Sequence, residues 1–321
     1  ADRIFGLLEY FAGYGFNKCV RGSTEIVDAV TGERTTVEDL FLRRRPFTIH
    51  ALGEDGKLRE RAVVDVMRNG RKPVFEVRTA QGKKIVATGN HPFRTVDGWT
   101  NLEDLKVGDR IAAPRHLRVR GGERSPEHEV VALAELVSGR RTQRVPDRVF
   151  RLADDDLALF LGRLWASDGS IADATEPAPF YATTSEGLAY DVQKLLLRFG
   201  IQSGVHRKGG RDGDRIRPGY VVRLVGDDAL AAFVLHVAPH CLGREGEVAL
   251  LRGRLDEAAV AVAGGAAQRT VDHVAGASSP ELESTLESDV FWDRIVSIEP
   301  RGVEETFDLT VDVDHNFVAD G

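Results

Sequence analysis

Cys19 directly follows Lys18, so its thiol reaches the Lys18 carbonyl through a five-membered ring. A sulfur so placed is able to take over an acyl group without water, since a cysteine thiol is strongly nucleophilic although only a few per cent ionised at neutral pH. The thioester is less stable than the amide it replaces, so a second group must strain that amide or protonate its nitrogen. Histidine suits the task because its charge changes near neutral pH, and His91 closes the stretch Thr88-Gly89-Asn90-His91 ahead of Pro92 and Phe93. The proline forces an extended conformation on His91. Two more ionisable residues, Asp308 within Thr306 to Val311 and His315 at the head of His315-Asn316-Phe317-Val318-Ala319, alternate with apolar neighbours as in a strand.

In chain order, Lys18-Cys19-Val20-Arg21-Gly22, Thr88 to Phe93, and Thr306 to Val311 with His315 to Ala319 resemble three blocks of the inteins. Inteins are protein-splicing elements of the Hint fold, shared with hedgehog autoprocessing domains. The resemblance implies autocatalytic splicing that starts with an N–S acyl shift at the Lys18–Cys19 junction and needs no cofactor. It makes His91 the proton donor to the leaving nitrogen and Thr88 the residue that orients the scissile peptide. Asp308 then touches the nucleophile and couples the two ends, and His315 assists cyclisation of a terminal Asn. Ala1 to Lys18 is similar to a segment of the bacterial DNA polymerase III alpha subunit, which implies that protein as the host in cis. The sequence stops at Gly321 without the block's penultimate His and terminal Asn, so a fragment able to cleave at Cys19 but not to finish splicing is expected.

The elements that must position these groups fall into two kinds. From Cys19 to about residue 116, short apolar or alternating runs such as Phe47 to Leu52, Val74 to Arg78 and Lys84 to Thr88 are broken by glycine-containing turns, which reads as an all-β unit. Thr36-Val37-Glu38-Asp39-Leu40 and Asn101-Leu102-Glu103-Asp104-Leu105 look like a repeat, each a helical turn between strands. From 117 to 245 helical periodicity takes over, strongest at Leu188, Val192, Leu195, Leu196 and Phe199, in an α+β order. Residues 246–288, rich in Ala, Gly and Ser, read as a linker with marginal helix. Strands resume from 289 to 321. The expected architecture is therefore an all-β, horseshoe-like Hint domain, interrupted by an α+β unit and preceded by the host segment 1–18.

Asp156 to Ser170 is similar to the signature helix of LAGLIDADG homing endonucleases, in which two helices each give one acid to a shared divalent cation, usually magnesium. Asp168 supplies one such acid. The candidate partner, Val130 to Gly139, has Ser138 in the acid's place, and it stands too close in sequence to Asp168 for the intervening α/β half. A degenerate remnant is expected, with Mg2+ relevant only if endonuclease activity survives. An active site-specific endonuclease is the alternative reading. Arg144, Arg148, Arg207, Lys208 and Arg215 belong to basic clusters that suit residual contact with double-stranded DNA. A net charge of -7 excludes a surface that grips phosphate throughout. The 321 residues carry two cysteines, too few for a disulfide framework, and no apolar run long enough for a membrane helix. A cytoplasmic protein without membrane contact is expected, with Cys241 structural despite His236 and His240 nearby.

Overall fold

The computed structural model describes residues 18–139, 142–172, 178–212, 215–261 and 288–319. Residues 1–17 of the expected host segment lie outside them. The first part of the chain forms β1 (Val20–Arg21), β2 (Glu25–Val27), β3 (Arg34–Thr36), α1 (Val37–Arg43), β4 (Thr48–Leu52), β5 (Leu58–Thr79) and β6 (Lys84–Thr88). It continues with β7 (Pro92–Thr95), β8 (Gly98–Asn101), a 3-10 turn at Leu102–Asp104 and β9 (Arg110–Pro114). An α+β unit follows before the last strand, β14 (Val290–Val311). The main sheet has the order β4-β5-β6-β1-β14-β9-β7-β8, with β5 also paired to β14. Among the described residues, the last strand therefore lies beside the first.

The short sequence repeat is a structural one. Val37 N donates to Thr24 O and Glu38 N to Gly22 O, both at 3.0 Å; Leu102 N donates to His91 O at 2.9 Å and Glu103 N to Gly89 O at 2.7 Å. Each helical turn thus grips two carbonyls spaced two apart, and His91 holds in the second half the place of Thr24 in the first. Val37 and Leu40, like Leu102 and Leu105, are buried in one core with Val20 and Phe307.

The α+β unit comprises α2 (Glu127–Gly139), α3 (Asp147–Phe150), α4 (Asp154–Asp168), β10 (Gly169–Ser170), β11 (Phe180–Thr183) and α5 (Glu186–Leu197). It is completed by β12 (Ser203–Asp212), β13 (Arg215–Leu224), α6 (Asp227–His236) and α7 (Glu245–Ala261). Its sheet runs β10-β11-β13-β12. Ser185 caps α5, its Oγ accepting from Leu188 N at 3.2 Å. The apolar stripe Leu188, Val192, Leu195 and Leu196 is buried as its helical spacing requires. Gly162 lets α4 press against the turn after α6, because a Cβ there would stand 2.3 Å from His240 Cβ and 2.9 Å from Val237 O. The reading of 246–288 as linker needs correction at its start. Residues 245–261 are helical, and Val248 and Leu251, three apart on one face, are buried in the unit's core. The rest of that stretch, 262–287, lies outside the described residues.

The two units are joined by buried charge. Asp191 of α5 is fully buried and accepts from Arg34 Nη1 at 2.6 Å, Arg144 Nη2 at 2.8 Å and Val145 N at 2.8 Å. Glu25 of β2 accepts from Arg144 Nη2 at 2.6 Å and Lys194 Nζ at 2.7 Å. Burial alone would raise the pKa of Glu25, but Lys194 and Arg144 outweigh it and hold the carboxyl at about 2. The β5–β6 turn docks on the same helix, with Gln81 O and Gly82 O accepting from Gln193 Nε2 at 3.1 Å and Tyr190 Oη at 2.7 Å. Asp191→Asn keeps the shape and removes the charge, leaving two guanidinium groups facing each other. It is expected to cost about 3 kcal/mol of stability, as breaking a buried pair does. A denaturant midpoint equal to the parent's would contradict the central role of Asp191.

Candidate functional site

The registers of β1 decide what surrounds Cys19. Val20 pairs with Phe307 and Arg21 with Thr306 of β14, and Val20 pairs with Ala87 of β6 on the other side. One residue further along both antiparallel registers, Cys19 comes opposite Asp308 on one flank and Thr88 on the other. Thr88 holds the Cys19 peptide unit closely. Its N–H donates to Cys19 O at 3.0 Å, its Oγ1 accepts from Cys19 N at 3.2 Å, and the same hydroxyl lies 3.3 Å from Cys19 O.

The sulfur is fully buried and has two donors that sequence reasoning missed. Asn69 Nδ2 stands 3.2 Å and Lys72 Nζ 3.5 Å from Cys19 Sγ. Both come from β5, where only the glycine between them, Gly70, hinted at an irregular strand.

Two ionisable groups here are displaced from their ordinary ranges. Burial, reinforced by the Lys18 ammonium, pushes the His91 imidazole down to about 4; a hydrogen bond to the Lys18 backbone offsets this only in part. His91 Nδ1 is buried without a hydrogen-bond partner among the described residues, and the ring sits edge-on to Phe93 and Phe317 with centroids 5.3 and 6.5 Å away. Burial pushes the Asp308 carboxyl up to about 6 against the pull of Lys18, the Leu309 N–H and Lys72. Lys18, Cys19, Thr88, His91 and Asp308 are therefore gathered at one place.

His315 does not continue the strand as its alternation suggested. β14 ends at Val311, and His315 follows a turn with a left-handed φ of 52°. The tail beyond it is clamped by Asn316, whose Oδ1 accepts from Leu52 N at 2.7 Å and whose Nδ2 donates to Leu52 O at 2.8 Å. Val318 N donates to His50 O at 2.9 Å, which leads Phe317 to His91. A cleft of about 140 Å³ opens there between His91, Phe93, Trp99, Asn316, Phe317 and Ala319.

The remaining candidates lie in the α+β unit. Asp168 ends α4, with its pKa raised by burial. Ser138 turns back on its own helix, Oγ donating to Ala134 O at 3.0 Å. Among the described residues no group of three or more His, Cys, Asp or Glu side chains is able to hold a metal. Two of the basic residues read as phosphate contacts are otherwise engaged: Arg144 with Asp191 and Glu25, Arg148 with Glu129 and Ser125. Sequence clustering could not reveal those carboxylates because they come from distant segments. Arg207 and Lys208 are exposed on β12, and the side chain of Arg215 lies outside the described residues. Cys241 is buried, its Sγ 3.6 Å from Val237 O and its thiol pushed up to about 12 by burial, which fits packing.

The family model of the intein splicing domain matches residues 27–321. The chain belongs to the intein family. Its β unit is the mostly-β, Hint-like fold of an intein splicing domain. Curated relatives include the replicative DNA helicase DnaB of Synechocystis, 29% identical over 94% of this chain and 48% of the relative. Another is the RecA protein of Mycobacterium tuberculosis, 27% identical over 68% of this chain and 38% of the relative. The chain thus spans about half the length, or less, of these relatives. Similar solved structures include a variant of the Ssp DnaB mini-intein, 20% identical with a TM-score of 0.40 over 94% of this chain and 89% of that one. The DnaX mini-intein of Spirulina platensis is 10% identical with a TM-score of 0.35 over 94% of both chains. No helix among the described residues is long and apolar enough to cross a membrane.

The displaced groups make the intein's stability pH-dependent in opposite senses. His91, at about 4 when folded against 6.5, binds fewer protons in the folded state, so its contribution rises as pH climbs from 4 to 6.5. Asp308, at about 6 against 3.8, binds more, so its contribution falls as pH climbs from 3.8 to 6. Asp308→Asn removes the falling part. Melting temperatures of the variant should climb more steeply than the parent's between pH 4.5 and 6.5, and parallel curves would contradict the assignment.

Proposed function

We propose that Cys19 is the first nucleophile of splicing, acting on the Lys18–Cys19 bond. The supporting observation is that Thr88 binds both the N–H and the C=O of Cys19 while the sulfur is buried opposite Asp308. The sulfur attacks the Lys18 carbonyl carbon, the C–S bond forms, the C–N bond breaks, and the thiol proton ends on the Cys19 nitrogen. No water, metal or cofactor enters that balance. Asp308, titrating near neutrality at about 6, is suited to accept the thiol proton. His91 is neutral in the resting state because it is buried beside the Lys18 ammonium. Negative charge developing on the Lys18 carbonyl oxygen opposes that ammonium, so His91 gains basicity as the tetrahedral intermediate forms and is able to pass a proton to the leaving nitrogen. His315 serves the later release of the C-terminal side. The host is a DNA polymerase III alpha subunit, a reading that rests on Ala1 to Lys18; the relatives carry their similarity in both a helicase and a recombinase, so similarity to them does not select a host. Incubation of the chain with a small thiol should release residues 1–18, seen by mass, and Cys19→Ala should abolish the release. Equal release from the variant refutes the nucleophile.

The α+β unit is a degenerate LAGLIDADG homing endonuclease. In its favour, α4 to α6 run as helix, two strands, helix, two strands, helix, with Asp168 at the end of the first helix. A magnesium site does not fit the residues present, because Asp168 is a single carboxylate and Ser138, in the second acid's place, spends its hydroxyl on its own helix. No hydrolytic step is therefore assigned. Residual contact with DNA falls to the exposed pair Arg207 and Lys208. Replacing both with Ala should weaken duplex DNA binding and lower the slope of log affinity against log salt by about 2; an unchanged slope excludes them from the contact.

A further inference from the structure

The environment of the Cys19 sulfur is built by an irregularity in β5. The β5–β14 ladder pairs Arg68 with Phe307 and Arg71 with Glu305, with a register shift between them. Thr306 is left alone opposite both Asn69 and Gly70, which is a β-bulge. Gly70 takes a left-handed φ of 73°, which glycine adopts without steric cost, and Thr306 Oγ1 donates to Gly70 O at 2.8 Å, pinning it. On a regular strand, residues three apart point to opposite faces. The extra residue cancels that alternation, so Asn69 and Lys72 both reach Cys19 Sγ, at 3.2 and 3.5 Å.

Both neighbours are donors toward the sulfur. A side-chain amide NH2 and an ammonium offer hydrogens and, in the case of Lys72, a positive charge; neither nitrogen accepts the thiol's proton. Donors to an ionised acceptor bind it more strongly than the neutral form. The arrangement thus stabilises negative charge that develops on the sulfur as it attacks. Asp308 stands across the β1–β14 register from Cys19 and also feels the Lys72 charge, so the acceptor for the proton and the donor to the resulting anion are part of the same cluster.

We propose that Asn69 and Lys72 are catalytic residues of the first splicing step, forming a two-donor cradle that stabilises negative charge on the Cys19 sulfur as it gives up its proton and attacks. The proposal rests on the reading of Cys19 as nucleophile. It assigns the bulge at Asn69–Gly70 a chemical purpose, the alignment of two side chains that a regular strand would separate.

The test is the pH dependence of thiol-induced release of residues 1–18 from the full chain. Lys72→Met should slow release at pH 7 by about tenfold or more, the scale of one hydrogen bond to a charged group, and move the midpoint of the rate profile to higher pH. Asn69→Ala should slow release in the same direction by a smaller factor. Lys72→Arg, which keeps the charge, should recover part of the rate and return the midpoint toward the parent's. A loss caused only by damaged packing would lower the rate at every pH and leave the midpoint in place, and that outcome overturns the cradle. Should Lys72→Met fail to fold, Asn69→Ala and Lys72→Arg carry the same comparison. Unchanged profiles in these variants, with release abolished in Cys19→Ala, refute the cradle alone. Release from Cys19→Ala at the parent rate refutes the nucleophile beneath it.

Discussion

The pairing of β1 with β14 is the constraint from which the rest follows. β1 is only two residues long and has little stability of its own, yet it is held between β6 and β14. β14 in turn gains its rigidity from β5, along which it runs for most of its 22 residues. The junction peptide is thereby placed by strands drawn from three distant parts of the sequence. Thr88 arrives from β6, Asp308 from β14, and Asn69 and Lys72 from the β5 bulge. A single register slip in β1 would turn the Cys19 side chain to the other face.

The electrostatics follow from the same burial. His91 and Asp308 are displaced in opposite directions for one reason, removal from water, which penalises imidazolium and carboxylate alike. Lys18 then acts on both, lowering His91 further and drawing Asp308 back. With the Lys18–Cys19 bond read as the scissile one, the host side of the junction adds a charge that modulates the displacement burial sets in His91 and Asp308.

Much of this was legible in the sequence, for identifiable reasons. The strands around Ile49, Val77 and Val86 are short apolar runs between glycine-containing turns, so the β unit is legible from patterning, while the two helical turns at Val37 and Leu102 suggest a repeat that only the structure establishes. Cys19, Thr88, His91 and Asp308, which the fold brings together, each sit in a compact block of sequence. Asn69 and Lys72 were not legible, since their partner lies fifty residues away and their shared orientation depends on a bulge that periodicity does not encode. His315 was misplaced on a strand because polar alternation persists through the turn after Val311. Arg144 and Arg148 looked like free cations because sequence proximity shows neighbouring arginines but not the carboxylates of Glu25, Asp191 and Glu129. The helix at 245–261 was obscured by alanine and glycine, whose burial leaves little amphipathic signal.

The α+β unit is accommodated through one local pairing. It leaves the β unit at the end of β9 and returns at the start of β14, and these strand ends are partners: Val290 pairs with Pro114, and Arg115 N donates to Asp289 O at 2.8 Å. With its entry and exit stitched together, the intervening chain closes as a loop whose length costs the sheet little. A unit attached only in this way would be free to swing. The buried Asp191 with Arg34 and Arg144, together with the seating of the Gln81–Gly82 turn against α5, removes that freedom. Glu25 ends this ion network on β2, and the docked turn is the hairpin that leads directly into β6 and Thr88. The α+β unit therefore braces the hairpin that leads to the Thr88 contacts with Cys19, so loss of the buried charge would loosen the surroundings of Cys19 as well as the contact between the units.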